Sequence, residues 1–224
     1  MSEFDSLAED YELALSHNLR LIPGGIEHYY RNRANITARY SKNTRVSEIL
    51  DFGGGVGLAI PHLAKSFPGC ALSIADSSME SVKVAKSRFP FLRVVQASLL
   101  PPASFDLIFV AGVFHHIPPV ERDLVVERLC GALRIGGTLA IFELNPLNPV
   151  TRRLVDACPF DENAALIRKP QAKQLFDKSV QLRLVKEGFT VFFPPAMKYF
   201  HCFERALTWC PMGAQYYLIF EKNK

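Results

Sequence analysis

The sequence predicts an α/β fold, a doubly wound and mostly parallel sheet with helices on both faces. Three observations lead there. Short runs that are apolar throughout, at 46–52, 71–75, 92–96, 105–110 and 138–144, alternate with longer segments of helical pattern. Strands covered on both faces read as continuous apolar runs rather than as alternating ones. The first run empties into a glycine cluster, Gly53-Gly54-Gly55-Val56-Gly57, that opens a helix. Right-handed crossovers between such strands leave a doubly wound sheet as the outcome.

Length and composition set the frame. The 224 residues fit one domain with a proper core of its own. At 49% hydrophobic and 21% charged, the chain is excluded from the disordered class. A net charge of +4 favours anionic surfaces or substrates but falls short of a nucleic-acid footprint. The densest basic stretch, 31–45, is broken by Ala, Asn, Ile and Tyr and reads as a solvated helix face. The five cysteines, Cys70, Cys130, Cys158, Cys202 and Cys210, form no C-x-x-C pair. Neither a disulfide framework nor a zinc spacing is visible, no metal is assigned, and a reducing cytoplasm fits best. The acidic first residues do not read as a signal peptide, and the longest apolar run, 107–114, is too short to span a bilayer.

Residues 1–45 are expected to form a helical extension of one or two helices, with Pro23-Gly24-Gly25 as the turn between them. The main domain is expected over 46–224. Its first strand, 46–52, leads into a helix over 58–67 that Pro68-Gly69 stops. The second strand, 71–75, precedes a helix over 77–89, with Ser77 or Ser78 as N-cap and Glu80 as capping-box partner. After the third strand, 92–96, Pro101-Pro102 rules out a long helix. The fourth strand, 105–110, is followed by a helix over 118–133 with apolar positions Val120, Leu124, Val125 and Leu129. Gly136-Gly137 then turns the chain into the fifth strand, 138–144. Beyond a loop broken by Pro146, Pro149 and Pro159, the pattern suggests a helix over 171–187 ending at Gly188. Strands follow at 189–193 and 214–220, flanking an aromatic stretch with Tyr199, Phe200, Phe203 and Trp209. The aromatic residues from Phe192 to Phe203 read either as core or as the lining of an apolar acceptor pocket.

The chemistry is concentrated in 49–57. Glycines permit a tight turn and a close approach of backbone to ligand, and the following helix points free N–H groups at that place. Asp76 ends the second strand, where a carboxylate can accept both hydroxyls of a ribose diol. The dinucleotide pattern G-x-G-x-x-G fails in both frames, at Leu58 when started from Gly53 and at Val56 when started from Gly54. What fits is acidic-x-G-x-G-x-G, with Asp51, Gly53, Gly55 and Gly57.

This pattern resembles the first motif of class I S-adenosylmethionine (SAM)-dependent methyltransferases. Ser104-Phe105-Asp106-Leu107-Ile108 is similar to the family's fourth-strand motif, and Val113-Phe114-His115-His116-Ile117 to the segment common after it. Leu133-Arg134-Ile135-Gly136-Gly137-Thr138-Leu139 is similar to its turn into the fifth strand. The resemblance implies a Rossmann-like, seven-stranded sheet with an antiparallel last strand, and SAM as cofactor. It implies that Asp51 with Gly53, Gly54, Gly55 and Gly57 holds the methionine end, and that Asp76 binds the ribose with Ser77 beside the adenine. Ala97 and Ser98 would flank the adenine edge, and Ala111 and Gly112 would offer backbone to the methionine ammonium. Many relatives carry an acid where this chain has Gln96-Ala97-Ser98, so adenine recognition is expected from backbone groups or the Ser98 hydroxyl.

Methyl transfer from a sulfonium is an in-line displacement in which the protein positions the acceptor and, for some acceptors, removes a proton. His115 and His116 are candidate bases by location, or loop-packing residues. Glu143, at the end of the fifth strand, reads as a base or as a structural acceptor, with Asn145 beside it as a substrate contact. Arg152 and Arg153 read as a clamp for an anionic substrate or as partners of Asp156 or Asp161. Residues 143–153 with 158–162 resemble a subset of bacterial small-molecule methyltransferases. In the helical extension, Tyr29 or Tyr30 faces the cofactor if the extension is a lid, and otherwise packs.

The expected activity is methylation of a small molecule at oxygen, by a monomer or homodimer without nucleic-acid partners. Carbon methylation of a quinone-like or lipid acceptor stays open, as does SAM binding without catalysis. Val110-Ala111-Gly112-Val113 stands where amino-methylating enzymes of another type carry an Asn/Asp-Pro-Pro-aromatic motif.

Overall fold

The computed structural model describes residues 25–41, 45–158, 164–193 and 195–223. In chain order its first half holds α1 (Gly25–Tyr40), β1 (Glu48–Phe52), α2 (Ile60–Ser66), β2 (Ala71–Ala75), α3 (Met79–Arg88), β3 (Arg93–Val94) and β4 (Phe105–Ala111). The second half holds α4 (Arg122–Ala132), β5 (Leu133–Leu144), α5 (Pro149–Asp156), α6 (Lys169–Asp177), β6 (Leu182–Thr190) and β7 (Gln215–Lys222). A 3₁₀ segment, Pro195–Leu207, joins β6 to β7 and is kinked at Met197.

The seven strands form one sheet in the order β3-β2-β1-β4-β5-β7-β6. Only β7 runs against its neighbours, pairing antiparallel with both β5 and β6. The expected Rossmann-like sheet with an antiparallel last strand is therefore the one observed. Because β1 crosses to β2 on one side and β4 lies on its other side, the order reverses between β1 and β4. Ligands in such sheets bind at that switch point, beyond the carboxyl ends of the strands.

The central strands feed two cores. Ile49, Ile74, Leu107 and Phe109 pack on one face with Ile60 and Leu63 of α2. Leu50, Ile108 and Phe220 pack on the other with Leu129 of α4 and Phe176 of α6. Burial on both faces explains why these strands lack a polar alternation.

α1 runs down the first of these faces. In its first half Tyr29 bonds Gln215, and at its middle Arg33 Nε donates to Gln215 Oε1 at 3.1 Å; Gln215 pairs with Leu144 at the carboxyl end of β5. Just past its other end Ser41 Oγ lies 3.1 Å from the hydroxyl of Thr138, midway along β5. The first turns of α1 thus stand beside the carboxyl ends of the parallel strands. The part of the expected 1–45 extension before Gly25, with its turn at Pro23-Gly24-Gly25, lies outside the described residues, as does 159–163.

Four expectations need correction. The helix expected over 171–187 ends at Asp177, and β6 already begins at Leu182. Gly188 is a strand residue there, facing Tyr217 so closely that a Cβ would stand 2.6 Å from its hydroxyl oxygen. Of the apolar positions expected on the helix over 118–133, Val125 and Leu129 are buried, with Val126 beside them, but Val120 and Leu124 are exposed. The N-cap of α3 is Ser78, which accepts from Ser81 N, while Glu80 pairs with Lys83 at 2.6 Å. Tyr199, Phe200 and Phe203 are exposed, so they are not core. Among the described residues no helix is long and apolar enough to cross a membrane.

Candidate active site

β1 delivers Asp51 and Phe52 to a loop that turns sharply at Gly53, whose φ is +71°. A Cβ at Gly53 would meet Val113 Cγ2 at 2.3 Å, so both conformation and space demand glycine there. The loop is tied to the end of β2. Gly53 N donates to Ala75 O at 2.7 Å, and Gly55 N donates to Asp76 Oδ2 at 2.8 Å. The other Asp76 oxygen accepts from Ser78 N at 2.9 Å, at the start of α3. One carboxylate thereby sets the distance between the glycine loop and the next helix. A carboxylate has about four acceptor sites, so this work is compatible with holding a sugar diol.

Asp51 is 2% exposed, and its Oδ2 has no hydrogen-bond partner among the described residues. Burial, then the charge of Asp76, raises its pKa to about 7, against the opposing pull of Arg33. It lines a small cavity with Tyr30, Gly53, Gly55, Ala111 and Gly112. Tyr30 comes from α1, and desolvation pushes its hydroxyl up to about 12. Arg33, one turn further, is 3% exposed and lies over the rings of Tyr29 and Tyr30 at 4.0 and 5.3 Å. Tyr29 itself is buried against Val191 and bonds Gln215.

Glu143 behaves differently. Its Oε1 accepts from Val113 N at 2.9 Å and from Phe114 N at 2.7 Å, and its Oε2 lies 2.6 Å from His115 Nδ1. His115 and Glu143 are 3% and 1% exposed. Burial alone would raise the Glu143 pKa, but the His115 ring and the two backbone donors outweigh it and lower it. The pair is a strut that fixes the 113–116 loop over the end of β4. His116 packs on His115 with ring centroids 4.1 Å apart and is half-buried.

The remaining candidates scatter around this centre. Gly112 follows β4 with φ +74° and donates its N–H to Phe142 O. Ser77 is exposed beside Asp76, Ala97 is half-buried and Ser98 exposed on the loop after β3. Asn145 is 1% exposed, and its amide donates to the carbonyls of Pro211 and Gly213, so it braces the loop before β7. Arg152 and Arg153 project from α5, exposed and without an ion pair to any described residue. Thus Asp51, Gly53, Gly54, Gly55, Ala111 and Gly112 line one cavity, with Asp76 tied to its rim, whereas Asn145, Arg152 and Arg153 stand apart. The sequence reading missed Arg33, which it placed on a solvated face. The neighbouring pair Tyr29-Tyr30 was the available signal, since aromatic faces can hold a buried guanidinium.

A strand reversal, a glycine loop and a paired acid at the next strand are the features at which Rossmann-like sheets bind nucleotides. Comparison with known proteins narrows the class. Residues 50–139 match the family described as "Methyltransferase domain". Trans-aconitate 2-methyltransferase of Rhizobium meliloti (strain 1021) is 35% identical over 109 residues, which are 47% of this chain and 42% of that relative. The chain thus spans less than half the length of that relative. Among solved structures, a SAM-dependent methyltransferase from Archaeoglobus fulgidus has a TM-score of 0.66 at 15% identity, covering 88% of this chain and 94% of its own. Phosphoethanolamine N-methyltransferase 2 of Haemonchus contortus, solved with SAM, has a TM-score of 0.65 at 17% identity over 100% of this chain and 61% of its own. Residues 50–139 are thus similar to a methyltransferase domain, and the chain shares its fold with SAM-dependent methyltransferases.

Proposed function

We propose that this chain uses SAM to methylate a small-molecule carboxylate at oxygen. The observation that carries the reading is Asp51, a buried carboxylate that lines a glycine-walled cavity at the sheet's switch point and has one oxygen without a partner among the described residues. Such an atom calls for a donor, and the α-ammonium of the methionine portion is a donor of the right charge. The residues therefore fit the group: Asp51, the 53–57 loop, Ala111 and Gly112 would hold its methionine end, and Asp76 its ribose. When bound, SAM supplies an electrophilic methyl group on a sulfonium.

The protein's own share is positioning. A carboxylate acceptor is ionised at neutral pH and needs no base. That suits a site whose buried acid, Glu143, spends both oxygens on Val113, Phe114 and His115. It also agrees with the name of the relatives, trans-aconitate 2-methyltransferase. Arg152 and Arg153, exposed on the first helix after β5, would draw an anionic acceptor toward the carboxyl ends of the strands.

A second reading, carbon methylation of an apolar acceptor, is favoured by one observation: Tyr199, Phe203 and Trp209 are 80%, 57% and 76% exposed between β6 and β7. Calorimetry with SAM and its demethylated product, followed by turnover against tricarboxylates, monocarboxylates and quinones, tests both. Binding in the range of about 1 μM, or about −8 kcal/mol, and turnover with a carboxylate are expected. No heat with SAM overturns the cofactor assignment, and turnover with quinones alone overturns the acceptor class.

A further inference from the structure

We propose that His28, His201 and Glu204 form a site for a divalent zinc-type cation that clamps α1 to the 3₁₀ segment. One ligand atom from each of these residues lies within 4.8 Å of the other two. The two imidazoles stack with centroids 4.2 Å apart at 33°. Both Nε2 atoms are buried, and neither has a hydrogen-bond partner among the described residues. Two adjacent rings that each hide an unused nitrogen next to a buried carboxylate are poorly explained by packing alone, because hidden polar atoms normally find partners. Glu204 is 7% exposed and accepts from Phe192 N at 3.1 Å, which orients its carboxylate as outer-shell bonds orient metal ligands.

The donor set selects the ion. Two imidazole nitrogens and one carboxylate suit zinc with one open position, whereas calcium and magnesium take oxygen ligands. The three residues line a cavity of about 480 Å³, which leaves room for a fourth ligand and for entry. Arg39 and Arg205 line it too, and their charge opposes a cation, so tight but not extreme affinity is expected.

The site has a structural consequence that does not depend on the methyl-transfer reading. His28 lies two residues ahead of Tyr30, which lines the Asp51 cavity, and five ahead of Arg33, whose charge acts on Asp51. A cation bridging His28 to the segment between β6 and β7 would fix the end of α1 that borders that cavity. The sequence offered no hint, since the ligands come from opposite ends of the chain and lack the close spacing of zinc motifs.

The test uses the whole chain after treatment with a chelator. Zinc is titrated calorimetrically, a thermal melt is recorded with and without it, and cobalt is added for its absorption spectrum. One zinc per chain, a raised melting temperature and tetrahedral cobalt bands without thiolate charge transfer are expected. His28→Ala, His201→Ala and Glu204→Gln should each weaken zinc by at least about tenfold, the scale set even by outer-shell partners. Cys202→Ser should leave the affinity unchanged. His201→Ala keeps the test open if His28→Ala does not fold. The proposal falls if the chain binds no zinc, if zinc survives His201→Ala at full affinity, or if cobalt shows thiolate bands.

Discussion

Asp51 and Glu143 are two buried acids on strands that flank β4, and they have opposite environments. Glu143 receives two backbone N–H groups and faces the His115 ring, and its pKa is lowered. Asp51 keeps one oxygen without a partner among the described residues, and its pKa is raised to about 7. Burial is nearly equal, so the neighbours make the difference: the charge of Asp76 beside Asp51, against the His115 ring and then the hydrogen bonds around Glu143. A carboxylate whose acceptors are all used within the protein holds shape. One that is buried and short of a donor costs stability, and it has a use only if something else supplies the donor. The contrast separates a residue that holds the framework from the one proposed to bind.

The largest effect should come from breaking the strut. Glu143→Ala leaves the donors of Val113, Phe114 and His115 buried and unpaired, and removing one partner of a buried pair costs about 3–5 kcal/mol. The urea midpoint should fall with an unchanged slope. A variant that keeps its stability but loses turnover would make Glu143 a chemical participant instead. Gly53→Ala should come next. It forces alanine to φ +71° and sets its Cβ 2.3 Å from Val113 Cγ2, with a backbone cost of about 1–2 kcal/mol before any clash. SAM affinity should fall, and adding Val113→Ala should restore part of it by making room. Full affinity in the single variant would show that the turn is not the cofactor seat.

Asp51→Asn tests the other half of the comparison, because it should separate stability from binding. The Asp51 pKa in the folded chain is about 7, above its ordinary 3.8. Between those values the folded state holds a proton that the unfolded state has lost. Stability from this group is therefore complete below 3.8 and is lost as pH rises through about 7. Asn removes the charge, so the variant should be at least as stable as wild type at pH 8 and should flatten that part of the profile. SAM binding by wild type should strengthen as pH rises through about 7, since the ionised oxygen is the better acceptor for an ammonium. The variant should bind weakly at every pH. Equal affinity for SAM in both proteins at pH 8 would remove Asp51 from the site.

How much of this could be read in advance depended on whether a feature is local. β1, β2 and β4 were visible because burial on both faces leaves an apolar run in the sequence itself. The glycine loop and Asp76 were visible because a turn and a strand end have fixed places along the chain. β6 was not visible. Residues 171–187 contain good helix formers, and only pairing with β7, with Gly188 opposite Tyr217, reveals the strand. The sequence left Glu143 open between base and brace, because its decisive partners are the N–H groups of Val113 and Phe114 on a different loop. Arg33 was assigned to solvent for the same reason, since Gln215, near the far end of the chain, is what makes its burial tolerable.

The smallest expected effect probes the edge of the crevice rather than its floor. α5 is capped by Asn148, whose side chain accepts from Val150 N and Thr151 N, and Thr151 Oγ1 donates to Ala214 O. The helix is thus anchored from below while Arg152 and Arg153 stay in solvent. Exposed charges contribute at most about 1 kcal/mol to an ion pair, so Arg152→Ala should raise KM for a carboxylate acceptor by no more than about fivefold. kcat should hold, because such an interaction is the same in the ground state and the transition state. Raising the salt concentration should shrink the difference between variant and wild type, as screening predicts for exposed charges. A fall in kcat instead would place Arg152 against the reacting groups. No change in either constant would mean that the acceptor is held elsewhere, and the exposed aromatic residues between β6 and β7 would become the better candidates.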